Sequence, residues 1–209
     1  MQKLPGRVEL TGWLPRHGFV AEIGVDRGDF TKYILENSSP EKLHLIDAWE
    51  YQDASIYPET INPIRNSQKK QDENYKYVLS RFESHIHSGQ VVVHRGYSAD
   101  VLRKFPDGYF DWVYIDANHQ YNFVKKDLEI SSAKVKNSGF ICGHDYIAGN
   151  SVTGVEYGVV RAVDDFCKRY GWKMICMADH FWEGGNYQSY VLAKRGVRGI
   201  LRRLWRIVS

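Results

Sequence analysis

Between positions 19 and 145 the chain repeats one pattern: a strand-length apolar run stops at a glycine or an aspartate, and a stretch with helical spacing follows. Phe19–Ile23 stops at Gly24, Leu43–Ile46 at Asp47, Trp112–Ile115 at Asp116, and Phe140–Cys142 runs on to Asp145; Val91–Val93 is a fifth run of this kind. Runs that are apolar on both faces belong in a parallel sheet covered by helices on each side. The intervening segments carry the helical repeat. Phe30, Tyr33 and Ile34 follow a candidate cap at Asp29, and Tyr75, Val78, Leu79, Phe82 and Ile86 recur within 71–86. Residues 98–105 open on Ser98, a second candidate cap. Val124, Leu128 and Ile130 mark 122–134, and Val159, Val163, Phe166, Cys167 and Tyr170 mark 156–170. Two further runs, Met174–Met177 and Ser189–Leu192, lie too close together for a crossover helix and enclose Glu183-Gly184-Gly185-Asn186, which predicts an antiparallel hairpin. The expected fold is α/β: a Rossmann-like, doubly wound, mostly parallel seven-stranded sheet ending in an antiparallel hairpin.

Two segments fall outside this alternation. Residues 49–70 are polar and aromatic, hold two prolines and have no period, as expected of a lid loop. Residues 146–155 follow the strand that runs to Asp145. Both leave the carboxyl ends of strands, where open α/β sheets hold their ligands. A chain of 209 residues is expected to form one domain, here residues 1–195, followed by a tail at 196–209. With 43% hydrophobic and 25% charged residues, wholesale disorder is excluded. No apolar run approaches the ~18 residues of a membrane span. The first residues lack the apolar stretch of a secretory signal, and Cys142, Cys167 and Cys176 match neither a disulfide framework nor a zinc module. A cytoplasmic location is expected.

The net charge of +3 is unevenly placed: Lys194, Arg195, Arg198, Arg202, Arg203 and Arg206 meet no acid before the end of the chain, leaving residues 1–193 at −3. An acidic body argues against a nucleic-acid partner. In the tail, Ile200, Leu201, Leu204, Trp205 and Val208 form an apolar stripe among the arginines. Such a segment suits peripheral contact with the inner face of a membrane, a homodimer contact or a solvated terminal helix.

The residues fit for chemistry sit at the strand ends. Glu22-Ile23-Gly24-Val25-Asp26-Arg27-Gly28-Asp29-Phe30 joins the first strand to its helix. Gly24 and Gly28 let the backbone turn tightly and approach a ligand, or simply turn. Asp47, 23 residues beyond Gly24, is placed to accept ribose hydroxyls. Asp26 stands where a dinucleotide fingerprint has the glycine that meets the pyrophosphate. A carboxylate there repels phosphate, so a nicotinamide cofactor is disfavoured; Glu22 and Asp26 suit a cationic nucleoside ligand. Ser98 meets an adenine edge or serves as an ordinary cap. Asp116 and Asp145 end neighbouring strands, and a converging pair of carboxylates suits a hard divalent cation; a helix cap and a salt bridge are the alternatives. His119 and His144 stand beside them as candidate bases. His44 and His94 fall inside strands, and His17, His85, His87 and His180 are expected in loops or on the surface.

Taken together, segments 22–28, 45–49, 114–121 and 143–146 resemble class I S-adenosylmethionine-dependent methyltransferases. Within them the resemblance is to metal-dependent O-methyltransferases acting on sugar hydroxyls, such as those of macrolide sugars and the mycobacterial methylmannose polysaccharide 1-O-methyltransferase. It covers about residues 10–195. It implies that Glu22, Gly24 and Phe30 line the methionine part of the cofactor, that Gly28 is also at the cofactor, that Asp47 holds the ribose, and that Trp49 and Ser98 lie beside the adenine. It implies Mg²⁺ or Mn²⁺ on Asp116, His144 and Asp145, with Asp116 also at the cofactor. His144 departs from the family, which often has an acid there; imidazole leans toward Mn²⁺ or a water-bridged contact, or His144 is the general base. His144, His119 and Asp116 form the expected catalytic set, and a sugar or glycan hydroxyl is the expected acceptor. Tyr51, Tyr57 and Trp182 stack on a sugar ring or pack the lid. Three other readings stay open: a metal-independent O-methyltransferase, a nicotinamide oxidoreductase, which Asp26 and the terminal hairpin oppose, and a non-enzymatic cofactor-binding partner of a glycan enzyme.

Overall fold

In chain order the elements are β1 (Gln2–Leu4), α1 (Arg7–Trp13), β2 (Phe19–Ile23), α2 (Asp29–Ser38), β3 (Lys42–Asp47), α3 (Gln68–Arg81), α4 (Glu83–His87), β4 (Val91–Arg95), α5 (Ser98–Leu102), β5 (Phe110–Ile115), α6 (Tyr121–Lys134) and β6 (Val135–Gly143). They continue with β7 (Gly149–Asn150), β8 (Val155–Glu156), α7 (Val159–Tyr170), β9 (Trp172–Ala178), β10 (Phe181–Trp182), β11 (Gly185–Asn186) and β12 (Ser189–Lys194). The computed structural model describes residues 1–52, 67–182 and 185–196. Most of the expected lid loop, Tyr57 included, and the apolar stripe of the tail lie outside the described residues.

The main sheet has eight strands in the order β1-β9-β12-β6-β5-β2-β3-β4. β2, β3, β4, β5 and β6 run parallel, as their apolar runs predict, with a register shift between Phe110 and Trp112 in the β5–β6 pair. β12 lies antiparallel to both β6 and β9, so the predicted terminal pair is present. The eighth strand is β1, which pairs parallel with β9 through Gln2↔Cys176, Lys3↔Met177 and Leu4↔Ala178. Three residues carry too little pattern to announce a strand, and this pairing rests on an edge far away in sequence.

Each face of the sheet has its own core. Val20, Leu43, Leu45, Trp112, Tyr114, Phe140 and Val191 pack under α1, α2 and α3 with Leu10, Leu14, Ile34 and Val78. Ala21, Ile23, Ile46, Val113, Ile115, Ile141 and Leu192 pack under α5, α6 and α7 with Leu128, Val163 and Phe166. Alternate residues of one strand thus enter opposite cores, which is why the runs had to be apolar throughout. The same alternation puts Glu22 on the α1–α2 face, beneath the helices rather than in the open.

Two capping expectations are corrected. Asp29 and Ser98 are the first residues of their helices, and the caps are Gly28, in the left-handed region at φ 72°, and Tyr97; neither supplies a side-chain cap bond. Asp29 instead accepts from Arg81 at 2.5 Å.

Candidate functional site

The strand order reverses between β2 and β5, which opens a crevice at their carboxyl ends. Its near wall is the loop after β2. The Gly24 amide donates to Ile46 O at 2.9 Å, and Asp116 N donates to Ile23 O at 2.7 Å, so loop and β5 are locked together. A Cβ on Gly24 would lie 2.0 Å from the Asp116 carbonyl oxygen, and one on Gly28 2.5 Å from the Phe82 ring; φ is +85° and +72°. The space at these glycines is therefore taken up by the protein itself. At Gly24 that space is filled by backbone and at Gly28 by the Phe82 ring, a packing reason for glycine that stands beside the expected approach of a ligand.

Asp47 organises the same loop. One carboxylate oxygen accepts from Val25 N at 2.8 Å and Asp26 N at 2.9 Å, the other from Trp49 N at 2.8 Å. A carboxylate has about four acceptor positions, so about one is left for a ligand hydroxyl. Asp26 accepts from Asn74 on α3 at 2.7 Å. Trp49 is 1% exposed, donates its indole N–H to Asp26 O at 2.8 Å and packs on Tyr75. It wedges the loop against α3 and is not brought to the crevice. Ser98 donates to the buried Asp127 of α6 at 2.5 Å. Burial lifts the Asp127 carboxyl to about 6, against the pull of that hydrogen bond.

Glu22 is buried and accepts the Thr31 hydroxyl at 2.6 Å. Burial pushes its carboxyl up to about 8; the Thr31 bond and Arg7 oppose this, and Asp116 and Asp47 add to it. Phe30 is also buried, its ring centroid 4.2 Å from that of Tyr114.

The far wall is a chain of acids and imidazoles. His119 Nε2 meets Asp145 Oδ2 at 2.8 Å, and His144 Nδ1 meets Asp145 Oδ1 at 3.0 Å and Asp116 Oδ1 at 3.7 Å. Asp145, which reaches both rings, has a left-handed backbone at φ +56°. Such a conformation costs of order 1 kcal/mol or more and concentrates at functional sites; Asp26 at +49° and Trp49 at +41° are further cases on the other wall. Burial would raise the Asp145 carboxyl, but hydrogen bonds from His119 and His144 override it and hold the group well below the usual carboxylate range. The His119 ring lies 4.6 Å from Tyr157.

Two members of the site carried no signal at their own positions. His180, expected in a loop or on the surface, lies in the loop after β9 and places Nδ1 2.9 Å from His144 Nε2. Burial, then the neighbouring His144 and Arg7, lower its affinity for a proton. The clue was available in the topology: β9 runs parallel to the central strands, so the residues after it reach the same edge as Asp116 and Asp145. Arg7 lies 3.4 Å from Asp116 Oδ2, with its guanidinium 4.4 Å over the Phe30 ring. Nothing near Arg7 in sequence announces this, because it depends on β1 pairing with β9. Tyr51 and Trp182 are 45% and 71% exposed.

The donor set fits a divalent cation. One ligand atom each from Asp116, His144 and Asp145 lie within 4.8 Å of one another. Ligands bound at about 2.1 Å to one octahedral ion stand about 3 Å apart when adjacent, so small side-chain movements suffice. Two carboxylates and one imidazole suit Mn²⁺ or Mg²⁺ that retains water.

Comparison with known proteins bears on the whole assembly. Residues 21–146 match a family described as a methyltransferase domain. No curated protein matches in sequence. Among solved structures, a tRNA methyltransferase of B. subtilis is similar at 14% identity and TM-score 0.60, over 94% of this chain and 69% of that one. A SAM-dependent methyltransferase of Aquifex aeolicus is similar at 14% identity and TM-score 0.58, over 90% of this chain and 89% of that one. A spermidine synthase of Thermotoga maritima is similar at 15% identity and TM-score 0.58, over 92% and 58%. At these identities the structures speak for the fold. The family match spans more than half of the sequence and takes in both walls of the crevice, Glu22 to Tyr146: the chain belongs to the class I S-adenosylmethionine-dependent methyltransferases.

Proposed function

We propose that the protein is a metal-assisted O-methyltransferase that methylates a hydroxyl of a sugar or glycan. The observation that carries this reading is the Asp116–His144–Asp145 cluster with His119 hydrogen-bonded to Asp145. Bound S-adenosylmethionine supplies a methyl group already activated on sulfonium, so the protein's main task is to align an acceptor oxygen with it. A divalent ion held by Asp116, His144 and Asp145 would act as a Lewis acid toward that oxygen, ideally through two vicinal hydroxyls.

The chain's own residues then handle the proton. Asp145 accepts from His119 Nε2–H, which fixes the tautomer in which Nδ1 is basic. His119, the more exposed imidazole, serves as general base. His144, buried between Asp145 and His180, orients and completes the donor set. The aromatic rings of Tyr157, Tyr51 and Trp182 offer stacking faces to a sugar. The tail's basic, apolar composition favours peripheral contact with an anionic membrane surface, where a lipid-linked glycan would be met.

The test is a mass shift of one methyl on a panel of oligosaccharides, with phenols as competing acceptors, in Mn²⁺, Mg²⁺ or EDTA. Sugar products that appear only with a divalent ion, and that Asp145→Asn abolishes while S-adenosylhomocysteine still binds, are expected. Full activity in EDTA would remove the metal from the reading. Phenol products alone would remove the glycan.

A further inference from the structure

The amino-terminal segment reaches the crevice from outside the matched region of 21–146. β1 is held on β9 by three register pairs, the chain turns at Pro5-Gly6, and Arg7 is the first residue of α1. Leu10 and Leu14 anchor that helix in the core, with 0% and 2% exposure, so the position of Arg7 is set by packing rather than by its own contact.

What that contact lacks is informative. The Arg7 guanidinium carbon sits over Phe30, 4.4 Å from the ring centroid, with 19% of the side chain exposed. Among the described residues, its hydrogen-bonding is a single long bond of 3.4 Å to Asp116 Oδ2. A guanidinium has five N–H donors in a planar fork that matches a carboxylate edge-on. Burial opposes the charge, while Tyr114, Asp116, Glu22 and Asp145 favour it. A largely buried cation over an aromatic ring, with most of its donors unused among the described residues, is prepared for an incoming anion.

The ligand's chemistry identifies the anion. S-adenosylmethionine carries two cations, its sulfonium and its α-ammonium, and one anion, its α-carboxylate. Asp116 and Asp145 complement the cations; the carboxylate needs a donor in the midst of these acids. We propose that Arg7 binds the α-carboxylate of the cofactor's amino-acid group, exchanging its long contact with Asp116 for a paired one. The inference rests on the family's use of S-adenosylmethionine. It makes the β1–α1 segment part of the cofactor site.

The experiment measures binding to wild type, Arg7→Lys and Arg7→Gln by calorimetry. The probes are S-adenosylhomocysteine, which has the carboxylate, and decarboxylated S-adenosylmethionine, which lacks it. Arg7→Gln is expected to weaken S-adenosylhomocysteine about 10- to 100-fold, the scale of a lost charge-assisted pair, with Arg7→Lys between the two. Decarboxylated S-adenosylmethionine is expected to change by less than about 3-fold, within the reach of indirect effects. Equal losses on both probes would make Arg7 a structural anchor of α1 and overturn the proposal, as would no loss on either. A defect confined to the acceptor's KM would assign Arg7 to a carboxylate on the acceptor, and also overturns it. Wild type that binds neither probe would overturn the cofactor reading itself along with the proposal. Thermal unfolding of each variant separates these outcomes from loss of fold, and the conservative Arg7→Lys carries the test if Arg7→Gln does not fold.

Discussion

Replacing Glu22 by glutamine tests the electrostatics of the crevice floor. Glu22 is 1% exposed, and burial lifts its carboxyl from an ordinary 4.5 to about 8. Between those limits the unfolded chain has released the proton and the folded chain still holds it. The folded state therefore binds more protons, and stability falls as pH rises through the window. The slope is about 1.4 kcal/mol per pH unit for one group, so pH 5 to pH 7 costs about 3 kcal/mol. Glutamine keeps the shape and cannot ionise, so Glu22→Gln removes this slope. Urea unfolding of both proteins at pH 5, 6, 7 and 8 isolates the effect, because slopes from other groups cancel in the difference. The variant's advantage should be small at pH 5, grow by about 3 kcal/mol to pH 7, and level off above pH 8. A difference that is flat in pH would show that Glu22 titrates alike folded and unfolded. An advantage that shrinks with pH would show that Arg7, not burial, dominates its environment.

Two further outcomes follow from the packing and the charge pattern. Gly24→Ala puts a methyl 2.0 Å from the Asp116 carbonyl oxygen at φ +85°, so the loop must part from β5; a loss of about 2–4 kcal/mol in chemical denaturation is expected, and a change below 0.5 would refute the packing role. The 209-residue chain should co-pellet with anionic liposomes at low salt and lose this when 196–209 is deleted; pelleting unchanged by the deletion would remove the membrane role of the tail.

Much of the site was legible because parallel strands advertise their ends. Gly24, Asp47, Asp116 and Asp145 each terminate an apolar run, and a right-handed α/β winding brings such ends to one edge whatever the loops do. What each residue does there was less legible. Trp49 follows Asp47 at the strand end, yet its ring is buried in the core and its backbone is left-handed. Gly24 and Gly28 were visible as glycines, but only the folded chain shows that Asp116 and Phe82 fill the space a side chain would need. Ser98 stood where a cap or a ligand contact was expected, and its hydroxyl goes to a buried acid 29 residues away.

By itself, the sequence determined the α/β winding, the terminal antiparallel pair, the acidic edge of the sheet and the nearness of His119 and His144 to its carboxylates. These follow from short-range pattern, since strand alternation and helical spacing are properties of neighbouring residues. Only the tertiary structure decided that Arg7 and His180 join them. Arg7 is carried in by a three-residue strand on an edge formed more than 170 residues later, and His180 by the parallel direction of that same edge. Contacts of that range depend on where whole elements dock, and no local pattern of side chains encodes it.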